Sequence, residues 1–246
     1  MGFGRALTLA RYNWPLYAVC AVGILAGFCA AMTPALPAPV RVVGAVGGSI
    51  AFWYSIASFV AFHIMFDRPD FLSGQWLTRC VSESPDNCVQ LSVCVEETTL
   101  PMSEIFPTAN CTELDLLDDS VMTEPAIARA KQAAGNSASL PAKPEALPLD
   151  DGASQFTVVT LAAHEVRNPT QRESLFGELT RITAPTGRIV VAEHLRNLPA
   201  ALAFGPGLFH FYPRSEWVTL AAKSGLRVES EFDVTPFFHV FVLQHA

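Results

Sequence analysis

The 246-residue chain is half hydrophobic and carries a formal net charge of −7. Arg5, Arg11 and Arg41 are its only formally charged residues up to position 66, so all 23 acidic side chains lie beyond that point. An acidic soluble part excludes a nucleic-acid surface, which needs clustered Lys and Arg, and equally excludes a polybasic lipid-surface patch.

Residues 14–32 form a run of 19 without a charge, roughly 28 Å of helix at about 1.5 Å per residue. Residues 42–66 form a second such run, with His63 near its end. Both are long enough to span a bilayer, and the Pro-rich segment 32–41 joins them. A cleaved signal peptide is the rival reading of the first run; a second run of full length favours a helical hairpin. Arg5, Arg11, Arg68 and Arg79 flank the pair, against Arg41 alone in the connection. That bias places both ends on the cytoplasmic side, with the inner membrane of a bacterium as the expected location. Gly23, Gly27 and Ala31 share one face of the first helix, and Gly44 and Gly48 share one face of the second. Such faces let helices approach closely in lipid, either each other or a membrane-protein partner. Residues 67–80 read as an interfacial linker with Trp76 at headgroup level. The expected division is therefore a transmembrane hairpin (1–66), the linker (67–80) and a soluble domain (81–246).

Cys80, Cys88, Cys94 and Cys111 contain no C-x-x-C pair and have no His nearby. They are expected as thiols rather than a zinc site, and no metal is expected elsewhere. Cys20 and Cys29 belong to the first hydrophobic run. A strand is expected over 89–95, then a Glu96-Glu97-Thr98-Thr99 turn and a short helix over 99–106. A second strand over 112–117 ends at Asp118-Asp119, and a helix follows over 123–133. Residues 135–151 are mostly loop, with room for a short strand.

The stretch 156–196 organises the rest. Phe156, Val158, Val159 and Leu161 make a β-branched apolar run that stops at His164-Glu165. Leu175, Phe176, Leu179 and Ile182 then recur at helical spacing, and Pro185-Thr186-Gly187 reads as the turn that ends this helix. Ile189 to Ala192 is again apolar and stops at Glu193-His194. Strand, helix, strand at this length is a βαβ unit with parallel, buried strands. Both strands then end on one sheet edge, each with a Glu and a His, and that carboxyl edge is where open α/β sheets bind ligands. Residues 198–208 are apolar, 209–214 are an aromatic loop containing His210, and Ser215 is placed to cap a helix through Lys223. Strands over 226–234 and 237–244 close the chain as an antiparallel hairpin.

His164, Glu165, Glu193, His194 and His210 are the candidate catalytic residues. A His with a carboxylate partner suits a general base near neutral pH, the carboxylate fixing its tautomer. The alternative is a set of hydrogen-bonded polar residues closing the tops of buried strands.

Residues 146–246 resemble the class I S-adenosylmethionine-dependent methyltransferases. The matching words are Ala146-Leu147-Pro148-Leu149 with Phe156, Ala163-His164-Glu165-Val166, and Glu178-Leu179-Thr180-Arg181-Ile182 before Pro185-Thr186-Gly187. Trp217 and Ala222-Lys223-Ser224-Gly225-Leu226 before the closing hairpin complete the match. The resemblance implies a doubly wound, Rossmann-like α/β sheet and S-adenosylmethionine as cofactor. Its cofactor contacts would fall on Glu96, Glu97 and Thr98 after strand one and on Asp118 or Asp119 after strand two. The sequence departs from the pattern at the Gly-rich turn, since no Gly occurs from Gln75 to Ala134, and at Thr157, where an Asp is usual. The implied function is a membrane-tethered methyltransferase with a hydrophobic or membrane-associated acceptor and residues 204–212 as a lid. The alternative is an inactive methyltransferase-like subunit of a membrane complex.

Overall fold

The structure is a computed structural model and describes residues 3–93, 99–116, 125–134 and 139–246. α1 (Gly4–Tyr12) is capped by a distant side chain: the Arg5 and Ala6 amides donate to the Asp67 carboxylate at 2.9 and 3.3 Å. A negative charge is favoured at a helix start, so this contact folds α1 back onto the end of the hairpin. α2 (Trp14–Met32) and α3 (Ala38–Phe62) each carry Pro in the first turn, where its missing N–H has no helical partner to lose. They pack on each other through small residues. A methyl group on Gly27 would stand 2.6 Å from the Gly44 carbonyl oxygen, and one on Gly44 would stand 2.7 Å from that of Gly27. Gly23 faces open space, so Gly27, Gly44 and Gly48 make the close approach. Both helices are long and apolar enough to cross a membrane, and Val19, Val22, Leu25 and Val43 are about two-thirds exposed or more.

One π turn (His63–Asp67) leads into α4 (Pro69–Leu72) and a 3-10 turn (Gln75–Arg79). Trp76, expected at headgroup level, is instead buried and donates its indole N–H to the Phe71 carbonyl at 2.9 Å. Phe71 in turn stacks on Phe238 of the sheet, 3.9 Å between ring centroids. The aromatic side chains of this segment find apolar partners on a sheet face, so burial there replaces the interfacial position.

The sheet domain follows as β1 (Asn87–Ser92), α5 (Met102–Ile105), β2 (Asn110–Asp115), α6 (Pro125–Ala134), β3 (Leu140–Pro141) and β4 (Ser154–Thr160). After these come α7 (Pro169–Ile182), β5 (Thr183–Glu193), α8 (Leu198–Phe204), α9 (Arg214–Lys223), β6 (Leu226–Thr235) and β7 (Phe238–His245). The seven strands lie in the order β3-β2-β1-β4-β5-β7-β6, with β7 alone antiparallel to its neighbours. The βαβ unit, the closing hairpin and the Rossmann-like sheet thus stand as expected. Both faces are covered, which explains the unbroken apolar runs of β4 and β5. Leu175, Phe176 and Trp217 of α7 and α9 cover one face. Met65, Phe71 and Leu77 from the segment after the hairpin cover the other.

Three local expectations are corrected. Pro185-Thr186-Gly187 lies inside β5, because α7 ends at Ile182 and the strand starts at Thr183. Ser154 pairs Thr183 while Phe156 pairs Arg188, so 184–187 bulge from the ladder. Gly187 is required there, since a Cβ would lie 2.7 Å from the Gln155 carbonyl oxygen. Ser215 does not cap α9: Pro213 occupies the cap position and no side chain bonds the first amides. Finally, Cys88 and Cys111 are not separate thiols. Parallel pairing of β1 with β2 sets them side by side, and they form a disulfide with 4.5 Å between Cα atoms.

Candidate active site

All five candidate catalytic residues come together at the carboxyl edge of β4 and β5. β4 ends at Thr160, and Leu161 follows with φ of 50°, a left-handed conformation that for such a residue stores about 1–3 kcal/mol. The Leu161 amide is held by the Ala192 carbonyl at 3.0 Å. This kink turns the chain across the end of β5, so the 3-10 turn Ala163–Glu165 lays His164 over Glu193. The Glu193 carboxylate is fully buried and accepts from the His164 amide at 3.2 Å and from the His164 Nδ1–H at 2.6 Å. On its other side the same ring meets Glu165, with Nε2 3.1 Å from Oε1. His210, at the end of the turn Gly205–His210, also reaches Glu165 Oε1 through Nε2 at 3.2 Å.

Both nitrogens of His164 are therefore engaged by carboxylates, which changes the role expected of it. Burial alone would depress its pKa, but Glu193 and Glu165 outweigh burial and hold it up at about 10. His164 is an imidazolium at neutral pH, with no lone pair to offer. Burial alone would raise Glu165, yet the His164 charge and hydrogen bonds from His164 and His210 keep it well below the usual carboxylate range. His194 behaves oppositely. Burial first, then the neighbouring His164 charge, push it down to about 3. Its Nδ1–H donates to the Phe237 carbonyl at 2.9 Å, so the lone pair sits on Nε2 of a neutral ring.

Two arginines were not legible as site residues. Arg167 donates to the His210 carbonyl at 2.7 Å, and its Nη2 lies against both ring nitrogens of His210. His164, Glu165 and His210 place ligand atoms within 4.8 Å of one another, but this guanidinium opposes a second cation at that point. Arg172 is buried on α7 and donates to the Val166 carbonyl, the Tyr212 hydroxyl and Glu216 at 2.7, 3.0 and 2.7 Å. It thereby ties the chain after Glu165 to α9. A basic residue three before Leu175, on the apolar face of its helix, was the available signal.

A cavity of about 560 Å³ opens from this cluster, within the range of small-molecule sites. Its lining combines His164, Glu165, His194 and His210 of the sheet edge with Tyr17, Cys20, Ala51 and Tyr54 of α2 and α3. Phe204 and Phe211, from the segment expected as a lid, form part of the wall.

The expected cofactor contacts Glu96, Glu97, Thr98, Asp118 and Asp119 lie outside the described residues. In the sequence they follow β1 and β2, and the topological switch point, where such sheets bind ligands, lies between β1 and β4. Polar groups gather around that point. Buried Gln90 accepts from the Leu100 amide at 3.2 Å while its Nε2 has no partner among the described residues, and Ser92 Oγ lies 3.4 Å from Thr99 Oγ1. The Gln90 amide is a spare donor that fits a ligand with carboxylate or ribose oxygens.

No protein-family profile and no curated protein matches this sequence. Solved structures do share its fold. An S-adenosylmethionine-dependent methyltransferase from Aquifex aeolicus superposes with a TM-score of 0.56 at 15% identity, over 77% of this chain and 98% of that one. The mitomycin 7-O-methyltransferase MmcR gives 0.54 at 16% identity, over 96% of this chain and 68% of that one. A methyltransferase from Methanosarcina mazei gives 0.50 at 13% identity, over 69% and 96%. The chain has the Rossmann-like fold of the class I methyltransferases, with two long apolar helices placed before it.

Proposed function

We propose that this chain is a membrane-tethered, S-adenosylmethionine-dependent methyltransferase acting on a hydrophobic or membrane-associated acceptor. The observation that carries the reading is the cavity that joins the His/Glu cluster to the walls of the apolar hairpin. In an enzyme of this kind the bound cofactor supplies an electrophilic methyl group on a sulfonium. Gln90 is the described residue with a donor left for it, with Glu96 or Glu97 offering charge to its cationic methionine half. Unit charges about 4 Å apart at an effective dielectric near 20 attract by about 4 kcal/mol before desolvation, which offsets part of what a glycine turn would contribute. The remaining residues orient the acceptor. His164 and Glu193 form a fixed ion pair that holds Glu165 in place, and Glu165 and His194 are the groups able to accept a hydrogen bond from the acceptor atom. Positioning of this type supplies much of the rate in a displacement reaction.

The absence of Gly between residues 75 and 134 favours a second reading, an inactive subunit kept for its shape. Titration calorimetry on the full chain in detergent separates the two. We expect weak but measurable binding of S-adenosylmethionine. Neither heat nor a thermal shift at millimolar cofactor would leave the inactive subunit as the better reading.

A further inference from the structure

We propose that α2 and α3 are one wall of the acceptor site, and that the cavity takes an amphiphile with a proton-donating head and an apolar tail. The inference rests on the acceptor class proposed above and adds the head chemistry, the tail path and the part of the chain that binds it.

Polarity along the cavity sets the direction of the ligand. On the hairpin wall the hydroxyls satisfy one another: Tyr17 bonds Ser58 at 3.1 Å, Ser58 donates to the Ser55 carbonyl at 3.2 Å, and Ser55 donates to the Ala51 carbonyl at 2.8 Å. These groups present an apolar surface to a ligand despite their composition. At the sheet edge, Glu165 Oε2 is buried and without a partner among the described residues. An unsatisfied charged oxygen is costly in a dry site, and a donor on the ligand removes that cost. The head is therefore a phenol, an alcohol or an amine. A carboxylate or phosphate head would face the Glu165 carboxylate, which accepts hydrogen bonds and donates none, and is rejected. Along the hairpin the lining extends from Asn13 to Cys20 on α2 and from Ala51 to Phe62 on α3, roughly 10–16 Å of apolar wall at 1.5 Å per residue.

The test uses the full-length chain in phosphatidylcholine nanodiscs without cofactor. A 4-alkylphenol bearing a diazirine at the tail end is photolysed, and the labelled residues are mapped by mass spectrometry. Labels are expected on Cys20, Ala51 and Tyr54, with Ala51→Trp removing them. The matched fatty acid should label these positions less by about tenfold or more, the discrimination given by a hydrogen bond to a charged group, and Glu165→Gln should narrow that gap. Labels confined to the outward-facing Val22 and Val43, or equal labelling by the fatty acid, would overturn the proposal. Because the mapping needs no turnover, it stands or falls apart from the methyl-transfer reading. Methylation of a soluble acceptor without tail labels would sink the inference and the acceptor class it rests on, and leave methyl transfer itself in place.

Discussion

His164 lies between two carboxylates, and the protons this arrangement holds set both its chemistry and its stability. Its raised pKa means that the ion pair contributes fully below about 6.5 and is lost as pH rises through about 10. Glu165 is depressed, so its contribution is present above about 4.5 and is lost as pH falls through its lower folded value. Thermal melts of the full chain from neutral to pH 10 should therefore show a falling midpoint, and His164→Asn should flatten that slope. An unchanged slope in the variant would show that the ring is not held as an imidazolium. In the methyl-transfer assay, His164→Ala should lower turnover by about 10² to 10⁴, as loss of an acid–base or orienting group does. Removing one member of a buried pair also destabilises by about 3–5 kcal/mol, so the midpoint is measured beside the rate. His164, Glu165, Glu193 and His194 were legible because each stands where an apolar strand run stops. The protonation of His164 was not, since it depends on the Leu161 kink that delivers a second carboxylate.

At the scale of elements, the α2–α3 crossing has a sharp dependence on backbone approach. A side chain at Gly27 meets the Gly44 carbonyl oxygen and the Gly48 backbone, which cannot swing aside, whereas Gly23 has nothing within 4 Å. Gly27→Leu should splay the hairpin and lower the melting midpoint, while Gly23→Leu should leave both unchanged. Cysteine cross-linking between the helices reads the geometry directly, and equal effects from the two variants would refute the crossing. The small-residue spacing was readable in the sequence, but its register was not: Gly23 and Gly27 share a face, and only the crossing angle and depth select Gly27. The bulge at 184–187 is similar. Pro185-Thr186-Gly187 has the composition of a turn, yet parallel pairing with β4 draws it into the strand.

At the scale of the whole molecule, two features pull the orientation in opposite directions. Four flanking arginines against one favour a cytoplasmic domain, whereas disulfides belong to oxidising compartments. Charge acts during insertion, and the Cys88–Cys111 pair is set by strand register whether its sulfurs are joined or not. We therefore expect the cytoplasmic orientation, with Pro37→Cys reachable by an impermeant thiol reagent from outside and Asp150→Cys protected. Labelling with the reverse pattern would assign the domain to the oxidising side.

The order of strands and helices, the two apolar helices and the sheet edge carrying the site follow from local pattern alone, because hydrophobic period and chain stops act within a few residues. What joins the hairpin to the site does not. Trp53 donates to the Leu202 carbonyl across 149 residues, and Gly205 packs on the Tyr54 ring. No local period records such pairings, since each side chain is apolar for its own element and its partner is chosen only when the elements dock. The cavity lined by Tyr17 and Glu165 exists through that docking, so the tertiary structure alone decided that the two apolar helices also form part of its wall.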